Sequence, residues 1–239
     1  MNGTLRRRVV AEFAGTLLLL TAVVGSGIMA ERLAGGNVAL ALLANAIATG
    51  VALVAIILAF GPISGAHLNP TVTPADASQG GIEWRETPLY IAAQLAGAVA
   101  GVLTAHTMFG LPLFSASTHV RTGSAQLFGE FVATFGLLSV IWGCVRHREA
   151  DVPFAVGAYI TGAYWFTSST SFANPAVTLA RAMTNTFAGI RPSDIWGFIA
   201  AQLAGAFAAT LLFRWLTPSL KGSASAVLVE HKQERDQTA

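Results

Sequence analysis

Charge is what this sequence has least of. Only 11% of its 239 residues are Asp, Glu, Lys or Arg, against about a quarter in soluble domains. Between Arg32 and Asp76 there is no charged side chain, and only Glu12 and Glu31 interrupt the stretch from Arg8 to Arg32. The few basic residues form no patch with interleaved aromatics and the net charge is +2, so nucleic-acid binding has no support. Cysteine is almost absent too. The lone Cys144 excludes an internal disulfide. No nucleophile is paired with a base and no metal-ligand cluster is evident, so nothing points to an enzyme, a cofactor or a metal.

What fills the chain is apolar sequence, 54% of all residues. A bilayer core about 30 Å thick needs about 20 mainly apolar residues per spanning helix. Six long segments fit: about 9–30, 38–60, 88–109, 126–145, 153–170 and 194–216. Arg6, Arg7 and Arg8 precede the first, but its apolar run is too long for a signal-peptide core, so it reads as a retained helix. Two short interrupted segments, about 69–78 and 174–185, cannot span alone and read as re-entrant. Irregular backbone at that depth must be buried in protein or line a wet cavity.

With both termini in the cytoplasm, ten basic residues lie inside and four (Arg32, Arg121, Arg181 and Arg191) outside, which favours that orientation. This gives a multi-pass membrane domain over residues 1–219. Residues 220–239 are polar and read as a disordered tail.

The chain repeats itself. Ala11–Thr16 resembles Gly129–Thr134, Ala92–Ala98 is identical to Ala200–Ala206, and Asn69–Thr73 matches Asn174–Thr178, at offsets of 118, 108 and 105 residues. Repeat one covers about 9–110 and repeat two about 126–216. Three spans per repeat is odd, so the second copy is inverted. Inverted repeats with interrupted segments at matching positions put the functional site at the midplane.

Asn69-Pro70 and Asn174-Pro175 both suit a helix start, with Asn as cap and Pro at the first helical position. Two helix N-termini meeting at mid-membrane make a positive maximum that opposes cations and protons. The Asn amides offer N–H donors to a passing hydroxyl. The stretches Ile63–Leu68 (with Gly65, Ala66 and His67) and Ser168–Ala173 (with Phe172) offer a ladder of carbonyl acceptors. A single Asn-Pro is ordinarily a turn; two in repeat register, each breaking an apolar segment, are not. Glu12 and Glu130 lie within spans, where a carboxylate is costly. Each is expected to hold a re-entrant loop by accepting its backbone N–H groups. The rival role is proton coupling in a secondary transporter. No Asp, Lys or Arg within the membrane is expected to assist it.

Ser64-Gly65-Ala66-His67-Leu68-Asn69-Pro70 and Phe172-Ala173-Asn174-Pro175-Ala176 resemble the two signature loops of the major intrinsic protein family, the aquaporins and aquaglyceroporins. The likeness spans roughly residues 9–216. It implies an all-α membrane protein of six helices and two half-helices, usually a homotetramer with one pore per subunit. Carried over by spacing from the two Asn residues, the family's outer constriction falls on Thr49, Gly162, Ser171 and Val177. Val177 stands where the family nearly always has Arg. With no aromatic, His or charge among the four, the mouth is expected to be wide and poorly selective for water. Arg181, four residues after Val177, is the alternative source of a positive charge.

A Val at this position resembles a bacterial subgroup, aquaglyceroporins linked to arsenic-resistance operons. The implied cargo is arsenite as neutral As(OH)₃ and methylated arsenicals, with glycerol, urea and some water. Thr71 and Pro74 depart from the signature and are expected to shorten or distort the first half-helix. His106, His119 and His147 read as surface or interface residues and Cys144 as a core thiol.

Overall fold

The computed structural model describes residues 4–217; the polar tail lies outside the described residues. The described chain is helical throughout. In order, α1 is Leu5–Leu33, α2 Val38–Ser64, α3 Val72–Ala77, α4 Thr87–Phe109, α5 Ser124–His147, α6 Val152–Phe166, α7 Pro175–Arg181 and α8 Ile195–Leu216. Five of these (α1, α2, α4, α5 and α8) are long and apolar enough to cross a membrane. Helix α6 has 15 residues, about 22 Å at 1.5 Å per residue, and a 3₁₀ turn, Glu149–Asp151, leads into it. It is the sixth span. The short α3 and α7 are the two half-helices.

Small residues set how close the spans come. A Cβ at Gly97 or Gly101 of α4 would collide with the backbone carbonyls of Phe13 or Leu17 on α1. In the second repeat a Cβ at Gly205 of α8 would lie 2.5 Å from Phe131 O on α5. The repeats meet through α2 and α6, where a Cβ at Gly157 would stand 2.6 Å from Gly50 O. Without a hydrophobic drive between helices in lipid, this backbone-to-backbone packing is what holds them. Large apolar side chains such as Val10, Val51, Leu58, Phe128 and Phe207 remain on the outside of the bundle, as a lipid-facing surface requires.

Two boundary differences bear on the re-entrant stretch of the first repeat. Helix α2 runs on through Ile63 and Ser64, so the non-helical stretch begins at Gly65, the left-handed C-cap with φ 86°. Helix α3 starts at Val72 with Thr71 as its N-cap, not at Pro70. Thr71 is the reason: its N–H and its Oγ1 both reach Asn69 Oδ1 at 2.9 Å, closing a local turn ahead of the helix. Pro74 is the third helical residue, where its missing N–H breaks no intrahelical bond.

Candidate functional site

The two re-entrant stretches have the same backbone. Gly65, Ala66 and Leu68 have positive φ (86°, 45° and 51°), and so do Thr170, Ser171 and Ala173 (61°, 50° and 48°). Each pair is 105 residues apart, the spacing that separates the two Asn residues. Left-handed backbone is unfavourable for a non-glycine residue and persists only where surroundings impose it.

The surroundings are two buried carboxylates. Glu12 Oε1 accepts from Ser64 Oγ at 2.7 Å and from the His67 N–H at 3.0 Å, and its Oε2 accepts from the Leu68 N–H and from Gln94 Nε2, both at 2.8 Å. Glu130 accepts from the N–H groups of Phe172 at 2.8 Å and Ala173 at 2.9 Å, and from Gln202 Nε2 at 2.6 Å. The same Gln nitrogens also donate to Thr73 Oγ1 and Thr178 Oγ1 at 2.9 and 2.8 Å. Each half therefore carries one Glu-Gln-Thr brace under one loop.

The loops bring the two Asn side chains together. Asn69 Nδ2 donates to Ala173 O and Asn174 Nδ2 donates to Leu68 O, each at 2.8 Å. Each half is thus bonded to the other's loop. Asn174 also caps α7, its Oδ1 accepting from the N–H groups of Ala176 and Val177 at 2.9 and 3.2 Å. With Oδ1 and one N–H of each amide committed, the second N–H remains for a solute. Pro70 stays inside the turn ahead of α3, and Pro175 is the first residue of α7.

One cavity is lined by both Asn residues. Its walls come from residues four apart on the spans: Leu19 and Val23 on α1, Thr49, Leu53 and Ile57 on α2, Leu137 and Ile141 on α5, and Val156, Ile160 and Tyr164 on α6. Ala66, His67 and Leu68 from the first loop with Val72 of α3, and Ser171, Phe172 and Ala173 from the second with Val177 and Arg181 of α7, complete the lining. An apolar wall faces a strip of loop polar groups. His67 also has Nδ1 3.2 Å from Thr73 Oγ1 and Nε2 3.5 Å from Asp76 Oδ2.

Thr49, Ser171 and Val177 line the cavity; Gly162 does not. It is exposed on the outside of α6, where its nearest neighbour would be the Phe166 ring at 3.7 Å. Two residues along a helix is about 200° of rotation, so Ile160 and Tyr164 face inward where Gly162 faces out. Counting residues from Asn174 fixes a position but not a helical phase. Tyr164 is the residue the counting missed, and the i, i+4 series Val156–Ile160–Tyr164 was the available signal. Its hydroxyl lies 3.3 Å from Thr49 Oγ1. The mouth therefore holds an aromatic ring.

Arg181, the alternative source of a positive charge, lines the same cavity as Val177. Against the expectation that no Asp, Lys or Arg within the membrane could assist ion coupling, Arg181 and Asp76 are buried inside the bundle, 2% and 1% exposed. Asp76 Oδ1 and Oδ2 have no hydrogen-bond partner among the described residues. His106 is corrected too: it is fully buried, with Nε2 2.7 Å from Thr184 Oγ1 and Nδ1 2.6 Å from Pro112 O. Cys144 is half-buried on α5, away from the cavity lining.

The comparisons with known proteins agree with this architecture. The family model described as major intrinsic protein matches residues 2–166 and 150–238. The aquaglyceroporin AqpS of Rhizobium meliloti is 57% identical over 213 residues, covering 89% of this chain and 91% of that protein. Aquaporin NIP1-3 of Oryza sativa is 34% identical over 209 residues, covering 84% of this chain and 71% of that protein. The solved structure of the aquaglyceroporin from Plasmodium falciparum matches with a TM-score of 0.69 at 22% identity, covering 91% of this chain and 99% of that one; this likeness concerns the fold alone.

Proposed function

Because this chain belongs to the major intrinsic protein family, we propose that it is a passive channel for small uncharged, polyol-like solutes. Arsenite as As(OH)₃ and methylated arsenicals lead the list, followed by glycerol, urea and some water. The observation that carries the reading is the reciprocal Asn–carbonyl pair inside one cavity, Asn69 to Ala173 and Asn174 to Leu68. It sets two amide donors against the cavity's apolar wall. A solute with hydroxyls on one side and a non-polar surface on the other suits that division, because its lost hydration is replaced on the polar side only.

Val177 in place of the family's usual Arg supports solutes bulkier than water, and As(OH)₃ is a neutral triol of glycerol-like character. The lining contains no thiol that would trap trivalent arsenic. The channel is proposed to act as a homotetramer with one pore per subunit, in a bacterial inner membrane with both termini in the cytoplasm. The proposed selectivity set is Thr49, Tyr164, Ser171 and Val177, with Glu12 and Glu130 as the loop anchors. A proton-coupled transporter using those two carboxylates has less support, since both are fully buried and their oxygens are occupied by loop and Gln donors.

The test is swelling of reconstituted vesicles in matched gradients of glycerol, urea and arsenite, with a water-efflux run alongside. Val177→Arg is expected to suppress flux of methylated arsenicals by at least about tenfold, a barrier change of about 1.4 kcal/mol, and that of glycerol much less. Equal fluxes in parent and variant would remove Val177 from the constriction.

A further inference from the structure

Resting on the channel reading, we propose that Arg181 determines the specificity of the outer mouth, where it supplies the cation barrier and the solute-facing donors that position 177 lacks. Val177 and Arg181 are four residues apart on α7, one turn, so both fall on the face toward the cavity. The guanidinium is locked in place. Its Nε donates to Ala188 O, and its carbon sits 3.4 Å from the centroid of the Phe172 ring. Phe172 is itself pinned, its N–H bonded to Glu130 at 2.8 Å. A long side chain is thereby held rigidly at a point where a flexible one would block or wander.

The terminal nitrogens are not spent. No carboxylate lies within ion-pair reach of Arg181 among the described residues, and Nε to Ala188 is the hydrogen bond that holds it. A buried guanidinium without a counter-charge is costly unless something polar solvates it. Here that is the content of the cavity it lines. Ser171 Oγ, buried in the same lining and with no hydrogen-bond partner among the described residues, is a second group for a solute hydroxyl. Arg121 adds charge from the loop ahead of α5: its guanidinium carbon is 5.0 Å from the Phe172 ring and its Nη1 reaches Ser169 O at 3.2 Å. Two cations thus share one aromatic ring, and Arg181 is the one of the two that lines the cavity.

The experiment compares vesicles holding the parent, Arg181→Gln, Arg181→Lys and the double variant Arg181→Gln/Val177→Arg. Glycerol swelling and proton entry (an internal pH dye under an imposed potential) are read on each. Arg181→Gln is expected to raise proton entry on the order of tenfold and, with two solute-facing donors lost, to lower glycerol flux severalfold without abolishing it. Arg181→Lys keeps the charge and stays proton-tight. The double variant restores tightness by returning a guanidinium to the neighbouring turn, an effect a merely structural arginine would not produce. If Arg181→Gln does not reach the membrane, the assignment stands or falls on the other two: a leaky Arg181→Lys that still carries glycerol overturns it. Glycerol-conducting Arg181→Gln vesicles as proton-tight as the parent also overturn it. A parent that passes no glycerol overturns the channel reading instead.

Discussion

Five non-glycine residues (Ala66, Leu68, Thr170, Ser171 and Ala173) hold a left-handed backbone in the two loops, at a cost on the order of 1–3 kcal/mol each. The offset comes from charge-assisted bonds, since a carboxylate that accepts several N–H groups binds them more strongly than a neutral acceptor would. Glu130→Gln keeps the side chain's shape but turns one acceptor into an NH₂ group facing a loop N–H. It is expected to lower stability by about 2–3 kcal/mol and to abolish solute flux. Thermal unfolding in detergent alongside vesicle swelling checks this; an unchanged midpoint with unchanged flux would contradict the brace.

At this scale the sequence is most legible where a residue is out of place for its environment. Carboxylates at positions 12 and 130 and two Asn-Pro steps inside apolar runs stand out. Tyr164 and Arg181 do not, since an aromatic in an apolar helix and an arginine near a helix end are both unremarkable. Only the phase of α6 and the fold of a long side chain back over Phe172 put them at the mouth.

Among the elements, backbones come close where α4 crosses α1 at Gly97 and Gly101, matched by α8 crossing α5 at Gly205. Gly97→Val is expected to force those helices apart and to cost more than 3 kcal/mol, roughly the scale of severe overpacking. Gly143→Ala makes the control, because the nearest atom to its added carbon is Phe213 Cε1 at 3.7 Å, an ordinary contact. Monodispersity by size exclusion separates the two: loss at Gly97 and none at Gly143 is predicted, and equal tolerance would contradict the packing argument. The spans themselves were readable from length and hydropathy, with ends shifted by a few residues. The half-helices were not equally readable. Asn174 caps α7 as the Asn-Pro pattern implies, whereas Thr71 competes for the Asn69 side chain and delays α3 until Val72. That competition is set by one hydroxyl, which no periodicity reports.

For the whole molecule, the two inverted repeats bond to each other reciprocally at the cavity, where each Asn amide reaches the opposite loop. That reciprocity leaves a fixed donor pair, and the Glu12 and Glu130 carboxylates are held by loop and Gln donors, which favours diffusion over transport coupled through those two groups. Glycerol uptake into reconstituted vesicles, followed against concentration with and without a proton uncoupler, tests this most directly. The account predicts a rate proportional to the gradient, without saturation and indifferent to the uncoupler. A rate that saturates and collapses when the proton gradient is dissipated would contradict it.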